Sequence, residues 1–264
     1  MNQKIHQIRQ YIRHQRQAKS RIGHGIHSPF VYELVEQVFN HSGNYYCYPK
    51  IEKYRQQLLT FHSVLNIEDF GAGSTKNNQK ERKVSEIAKT ALLNPEHAQL
   101  LFRLVNRFQP KTIIELGTSL GITSAYLASA YKPAQIYTFE GSPEIAQMAQ
   151  KTFKKLKINN IQQITASFDD TLPQTLEQIN TVDFAFIDGN HRYEPTLRYF
   201  EQLLEKASEQ SVFVFDDIYW SEGMTRAWNK IISHPKVTVS IDIYRMGLVF
   251  FRKSNPKQNF KIKF

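Results

Sequence analysis

Cysteine is nearly absent. The 264-residue chain holds one, Cys47, which has no partner for an internal disulfide, and a reducing, cytoplasmic setting fits best. Long apolar runs are missing as well: none approaches the roughly 18 residues of a membrane span. The opening MNQKIHQIRQYIRHQRQAKSR lacks the apolar core of a secretory signal. Acidic residues are missing from both ends. Residues 1 to 24 carry Lys4, Arg9, Arg13, Arg16, Lys19 and Arg21, and residues 253 to 264 carry Lys253, Lys257, Lys261 and Lys263. These two stretches account for the whole net charge of +10, and the body between them is formally neutral. A neutral body argues against a phosphate-tracking groove across it, whatever the basic total suggests.

What the chain does have is alternation. From residue 111 the strand-like runs TIIELG, QIYTFEG, IQQITA, VDFAFIDG and SVFVFDDI are separated by amphipathic runs such as LGITSAYLASAY, PEIAQMAQKTFKKL and EPTLRYFEQLLEKA. Strands alternating with helices build right-handed βαβ units and a parallel sheet covered on both faces. The pattern then changes. VTVSIDIY and MGLVFFRK follow each other with only Arg245 between them, too tight for a crossover, so they form an antiparallel hairpin. The expectation is a Rossmann-like α/β sheet of seven strands with the last reversed. Residues 1–94 read as a mainly helical cap, 95–253 as the sheet domain and 254–264 as a basic tail. In the cap, Ser28 and Pro29 sit at N-cap and N1 positions of SPFVYELVEQVF.

Two stretches compete as the cofactor loop. VLNIEDFGAGST contains Gly71-x-Gly73 but continues into a polar run without apolar period, so it reads as an exposed turn or as a lid. KTIIELGTSLGITSAYLASAY places Gly117-Thr118-Ser119-Leu120-Gly121 between an apolar strand and a helix N-terminus, where glycine admits a ligand and free N–H groups meet it. Thr118 and Ser119 stand where a dinucleotide loop has the glycine that admits a pyrophosphate, which favours a cofactor without phosphate. Glu140 ends the next strand, placed to accept hydrogen bonds from ribose hydroxyls. A phosphate-free cofactor with a ribose is S-adenosylmethionine.

IIELGTSLGITS, YTFEGSPE and AFIDGNHRYEPTLRYFE, in that order, resemble the class I S-adenosylmethionine-dependent methyltransferases over about residues 95 to 253. The resemblance implies that Glu115, Gly117 and Gly121, with Thr118 and Ser119 in the loop, shape the methionine pocket. It further implies that Glu140 binds the ribose and that Ser167 and Phe168 flank the adenine. For Ser167 and Phe168 a loop hydroxyl and a core aromatic remain open as alternatives.

Asp188 ends the fourth strand and Asp216-Asp217 the fifth, so three carboxylates converge at the carboxyl ends of parallel strands. Like charges raise one another's pKa unless a cation compensates, and Mg²⁺ suits all-oxygen ligands. The set resembles the metal-dependent O-methyltransferases that act on catechols, caffeoyl-CoA and macrolide sugars, with Asp188, Asp216 and Asp217 as the implied ligands. The alternative is that they cap a helix and hold turns. His191 stands three residues after Asp188, where the catechol type carries a lysine, and an imidazole there can take a proton from an acceptor hydroxyl. Tyr193, Trp220, Trp228 and the YYCYP cluster at 45–49 are candidates for an acceptor pocket or for core, while His24 and His27 have no metal spacing.

The leading expectation is a methyltransferase acting on a small-molecule hydroxyl, with no transmembrane segment and with a homodimer compatible with it. The alternatives are an RNA methyltransferase anchored by the basic N-terminal helix, and a non-catalytic module that binds the cofactor or a membrane surface.

Overall fold

The computed structural model describes residues 3–20, 25–67 and 81–264; Gly71, Gly73 and His24 lie outside them. In chain order the elements begin with α1 (Gln3–Gln17), α2 (Pro29–Leu34) running into a π-helical turn (Val35–Phe39), and α3 (Tyr48–Leu59). A short pair, β1 (Val64–Asn66) and β2 (Glu81–Lys83), precedes α4 (Val84–Ala91) and α5 (Pro95–Phe108). Then come β3 (Thr112–Leu116), α6 (Ile122–Ala130), β4 (Gln135–Glu140), α7 (Pro143–Leu156), β5 (Ile161–Thr165) and α8 (Phe168–Glu177). The alternation continues with β6 (Val182–Ile187), α9 (Tyr193–Glu205), β7 (Ala207–Asp216) and α10 (Glu222–Ser233), and ends in β8 (Val239–Asp242), β9 (Met246–Phe250) and β10 (Gln258–Lys261).

Packing draws two compact units, residues 43–178 and residues 1–42 with 179–264. In the 43–178 unit, β3, β4 and β5 pair in parallel in that order. Ile113, Ile114 and Leu116 of β3 and Ile136 and Phe139 of β4 are fully buried, as strands covered on both faces require. At about 1.5–3 kcal/mol per buried side chain, this apolar run is a main source of the unit's stability. Helix α5 starts where Asn94 accepts the His97 backbone N–H at 2.9 Å and Pro95 takes the first helical position. Within the YYCYP cluster, Tyr48 packs edge-on against Phe102 and Tyr126, with centroids 5.0 and 5.4 Å apart, and Cys47 is buried. Both are core residues of this unit.

In the other unit the strand order is β10-β8-β9-β7-β6. β6 and β7 are parallel, and β9 runs antiparallel to both β7 and β8, so the reversed hairpin strand is present as expected. Trp228 is buried against β9. A Cβ at Gly247 would lie 2.5 Å from its ring, so glycine is what admits the indole.

The two units hold eight strands of the main sheet where seven were expected, and the extra one is β10, parallel to β8. The C-terminal stretch is therefore not a solvated tail. Phe260 and Ile262 alternate with polar residues and are buried, a strand period hidden behind the lysines. Lys19 N–H donates to the Lys261 carbonyl at 2.8 Å, and Lys263 N–H donates to the Lys19 carbonyl at 3.1 Å.

Helix α1 joins the same unit through polar side chains. Gln3 and Gln7 donate to the Trp220 carbonyl at 3.1 and 3.0 Å, His6 meets the Thr225 hydroxyl at 2.9 Å, and His14 lies 3.3 Å from the Asp242 carboxylate. Among the described residues no helix is long and apolar enough to cross a membrane.

Candidate functional site

The loop after β3 is built around a buried acid. Glu115 is fully buried at the end of β3, facing Thr138 of β4 in register. One of its oxygens accepts from the Thr138 hydroxyl at 2.6 Å and from the Ser124 hydroxyl. Thr118 extends this network through a 2.6 Å contact with the Thr138 hydroxyl. Gly117 and Thr118 N–H both donate to the Phe139 carbonyl at 3.0 Å, pinning the turn to β4. Buried polar groups tied in this way rigidify a loop.

Gly117 and Gly121 have φ of 106° and 79°, and Ser119 has φ of 48°, a left-handed conformation uncommon for a residue with a Cβ. The Ser119 hydroxyl is buried with no hydrogen-bond partner, which is an atom prepared for something further. Gly121 also answers to packing, because a Cβ there would lie 2.7 Å from the Phe153 ring of α7.

Glu140, at the end of β4, is half-buried. Its carboxylate accepts the Ser119 N–H at 2.9 Å through one oxygen and the Ser142 N–H at 3.0 Å through the other. Ser167 is the N-cap residue of α8 and makes no side-chain cap. Phe168 is half-buried, with its ring meeting Phe139 edge-on at 6.4 Å.

The second group lies in the other unit. Asp188 follows β6, and His191 Nε2 is 3.5 Å from its Oδ1, with side chains 17 and 20 % exposed. Burial and the neighbouring Asp216 push the Asp188 carboxyl up to about 7. Burial alone would lower the His191 imidazole, but Asp188, Asp217 and Asp216 outweigh it and raise it to about 8. Asp216 ends β7 fully buried, and Asp217 follows in the left-handed region with φ of 51°.

Arg245, the residue of the β8–β9 turn, grips Asp216 through Nη2 at 2.7 Å and Nε at 2.9 Å and reaches Asp217 Oδ1 at 3.2 Å. Burial raises the Asp216 carboxyl, yet the guanidinium outweighs it and holds Asp216 below the usual carboxylate range. Asp217, more weakly served, is pushed up to about 6 by burial and by Asp216. Fork-on-carboxylate pairing of this kind is the strong form of ion pair.

The expected metal ligands do not fit a divalent cation. Arg245 engages both Asp216 oxygens and one of Asp217, and so already supplies the positive charge for which a metal was inferred. Among the described residues no group of three or more His, Cys, Asp or Glu side chains is disposed to hold an ion. Arg245 is the residue that sequence reasoning passed over. It was visible only as the connector between two strands, and nothing local says that a turn arginine folds back on a carboxylate.

Of the acceptor-pocket candidates, Trp228 is core. Tyr193 is half-buried beneath the Arg226 guanidinium, 4.8 Å from the ring centroid.

Residues 114–218 match the methyltransferase domain family. A catechol O-methyltransferase of Niastella koreensis is 28% identical over 158 residues, covering 59% of this chain and 69% of that protein. The human transmembrane O-methyltransferase is 30% identical over 118 residues, covering 43% of this chain and 40% of that protein. Among solved structures, an S-adenosylhomocysteine-bound methyltransferase of Podospora anserina superposes with a TM-score of 0.60 at 13% identity, covering 86% of this chain and 97% of that one. A Bacillus cereus O-methyltransferase with the same ligand superposes at 0.56 and 16% identity, covering 80% and 93%. Residues 114–218 thus carry a match to a methyltransferase domain, and the likeness to solved methyltransferases shows the Rossmann-like fold. The Niastella koreensis and human relatives and the Bacillus cereus neighbour are O-methyltransferases by name.

Proposed function

We propose that the chain methylates a hydroxyl oxygen of a small molecule, with His191 as general base. The observation that carries this reading is the His191–Asp188 pair at the end of β6, at 3.5 Å and partly open to solvent, in a chain whose matched domain is a methyltransferase. Bound S-adenosylmethionine supplies an electrophilic methyl group.

The rest is the work of this chain. Glu140 accepts from the ribose hydroxyls, Gly117 and Ser119 line the methionine end, and Ser167 and Phe168 flank the adenine. Asp188 orients the imidazole and stabilises its protonated form. His191 takes the acceptor hydroxyl proton on Nδ1, the ring nitrogen not turned to Asp188, as that oxygen takes the methyl carbon from the cofactor's sulfur and S-adenosylhomocysteine is left. Arg245 keeps Asp216 ionised and in place. No step is assigned to a metal.

Calorimetric titration with S-adenosylhomocysteine, followed by turnover with catechol and a panel of simple phenols, tests the reading. Binding should weaken at least about tenfold in Glu140→Ala, one lost charge-assisted hydrogen bond being worth about 1.5–3 kcal/mol. His191→Ala should bind as the wild type does and lose about 10²–10⁴ in turnover. A folded wild type that binds no S-adenosylhomocysteine sinks the assignment of the loop, and unchanged turnover in His191→Ala sinks the base.

A further inference from the structure

Helix α1 is amphipathic the wrong way round. The side it turns to the protein carries His6 and His14, both buried, with Gln3 and Gln7 hydrogen-bonded beside them. The other side carries Ile5, Ile8 and Ile12, which are 50, 59 and 44 % exposed. Their spacing of three and four residues lays them along one stripe of the helix. Lys4 lies at one edge of the stripe, and Arg9, Arg13 and Arg16 lie at the other, all four exposed. Arg9, Ile12, Arg13, Arg16 and Gln17 line one surface concavity. A helix packed for stability alone would bury its isoleucines and expose its histidines. This one holds a row of isoleucines outward between two basic borders.

We infer that the outward face of α1 is a docking surface for an anionic phospholipid bilayer, on which the helix lies flat. Charge and apolarity choose the occupant together. Residues 1–24 contain no acid, so a negatively charged partner is attracted over the whole face. The isoleucine row needs a partner that also removes apolar area from water, which acyl chains below phosphate headgroups do. Nucleic acid would satisfy the arginines and leave the isoleucines wet. A second copy would set basic borders against each other, and three isoleucines fall far short of the about 800 Å² per partner of a stable dimer. The long arginine and lysine stems let the charges reach the headgroups while the isoleucines sink between them.

The test is co-sedimentation of the full chain with vesicles of phosphatidylcholine alone and of phosphatidylcholine mixed with phosphatidylglycerol. Two double variants, Ile8→Ser with Ile12→Ser and Arg9→Glu with Arg13→Glu, run in parallel, and thermal melting shows that both remain folded. The wild type should partition onto the mixed vesicles only, and each double variant should lose at least about tenfold in partitioning. Failure of the folded wild type to bind mixed vesicles overturns the inference. So does undiminished binding by the isoleucine variant, which would make the face merely electrostatic. Two further results would reassign it: RNA binding that survives the isoleucine changes points to nucleic acid, and self-association abolished by them points to a second copy. None of these readouts depends on methyl transfer.

Discussion

Arg245 and His191 are the two side chains whose chemistry the structure makes most specific. Removing the Arg245 guanidinium strands Asp216, which is fully buried, as an uncompensated charge. Loss of one partner of a buried pair costs about 3–5 kcal/mol, and the lower end applies here because Arg245 itself is 41 % exposed. Arg245→Ala should therefore lower unfolding free energy by about 3 kcal/mol in urea titrations, and adding Asp216→Asn should restore much of it. Wild-type turnover should be indifferent to a metal chelator, whereas a chelator-sensitive wild type would restore the metal reading.

The His191 prediction concerns pH. A general base must be neutral, so rate should rise with pH and level off above the raised value of about 8. Stability should run the opposite way. A group whose pKa is higher folded than unfolded stabilises the fold fully below its ordinary value near 6.5, and that contribution is lost as pH rises through about 8. A rate already flat from neutral pH upward would show that another group takes the proton.

At the scale of elements, the glycine loop between β3 and α6 does two jobs that the sequence merges into one. The pattern of apolar strand, glycine turn and helix was legible, because strand period and turn chemistry are local. Gly121 fits that pattern as a cofactor glycine, but its Cβ position is taken by Phe153 of α7, 2.7 Å away, and its φ is 79°. Gly121→Ala should therefore destabilise the fold by about 1–3 kcal/mol through overpacking and strain, lowering the melting temperature by several degrees. Adding Phe153→Leu should recover part of this. If Gly121→Ala melts like the wild type yet loses S-adenosylhomocysteine affinity, the glycine serves the ligand and not the packing.

The hairpin β8–β9 was legible for the same local reason, and its reversed direction holds. Arg245 was not, because its meaning depends on a carboxylate 29 positions earlier in the chain.

For the whole molecule, the alternating pattern revealed the Rossmann-like plan because it repeats, and the carboxyl ends of β6 and β7 do carry the acids named from sequence. The C-terminal end was misread because lysine was weighed above period. QNFK is a strand with Phe260 buried in it and Ile262 buried just beyond it, and its charges obscured that. The bridge between Lys19 and Ile262 has one more consequence, felt in the ionic atmosphere rather than in the fold. It ties together the two stretches that hold all of the net charge of +10. Folding must gather like charges to within about the 8 Å screening distance of physiological salt. Neutral salt should then raise the melting temperature, as mobile anions relieve a repulsion that the unfolded chain can escape by spreading out. A melting temperature that falls with moderate sodium chloride would mean that attractive ion pairs dominate instead.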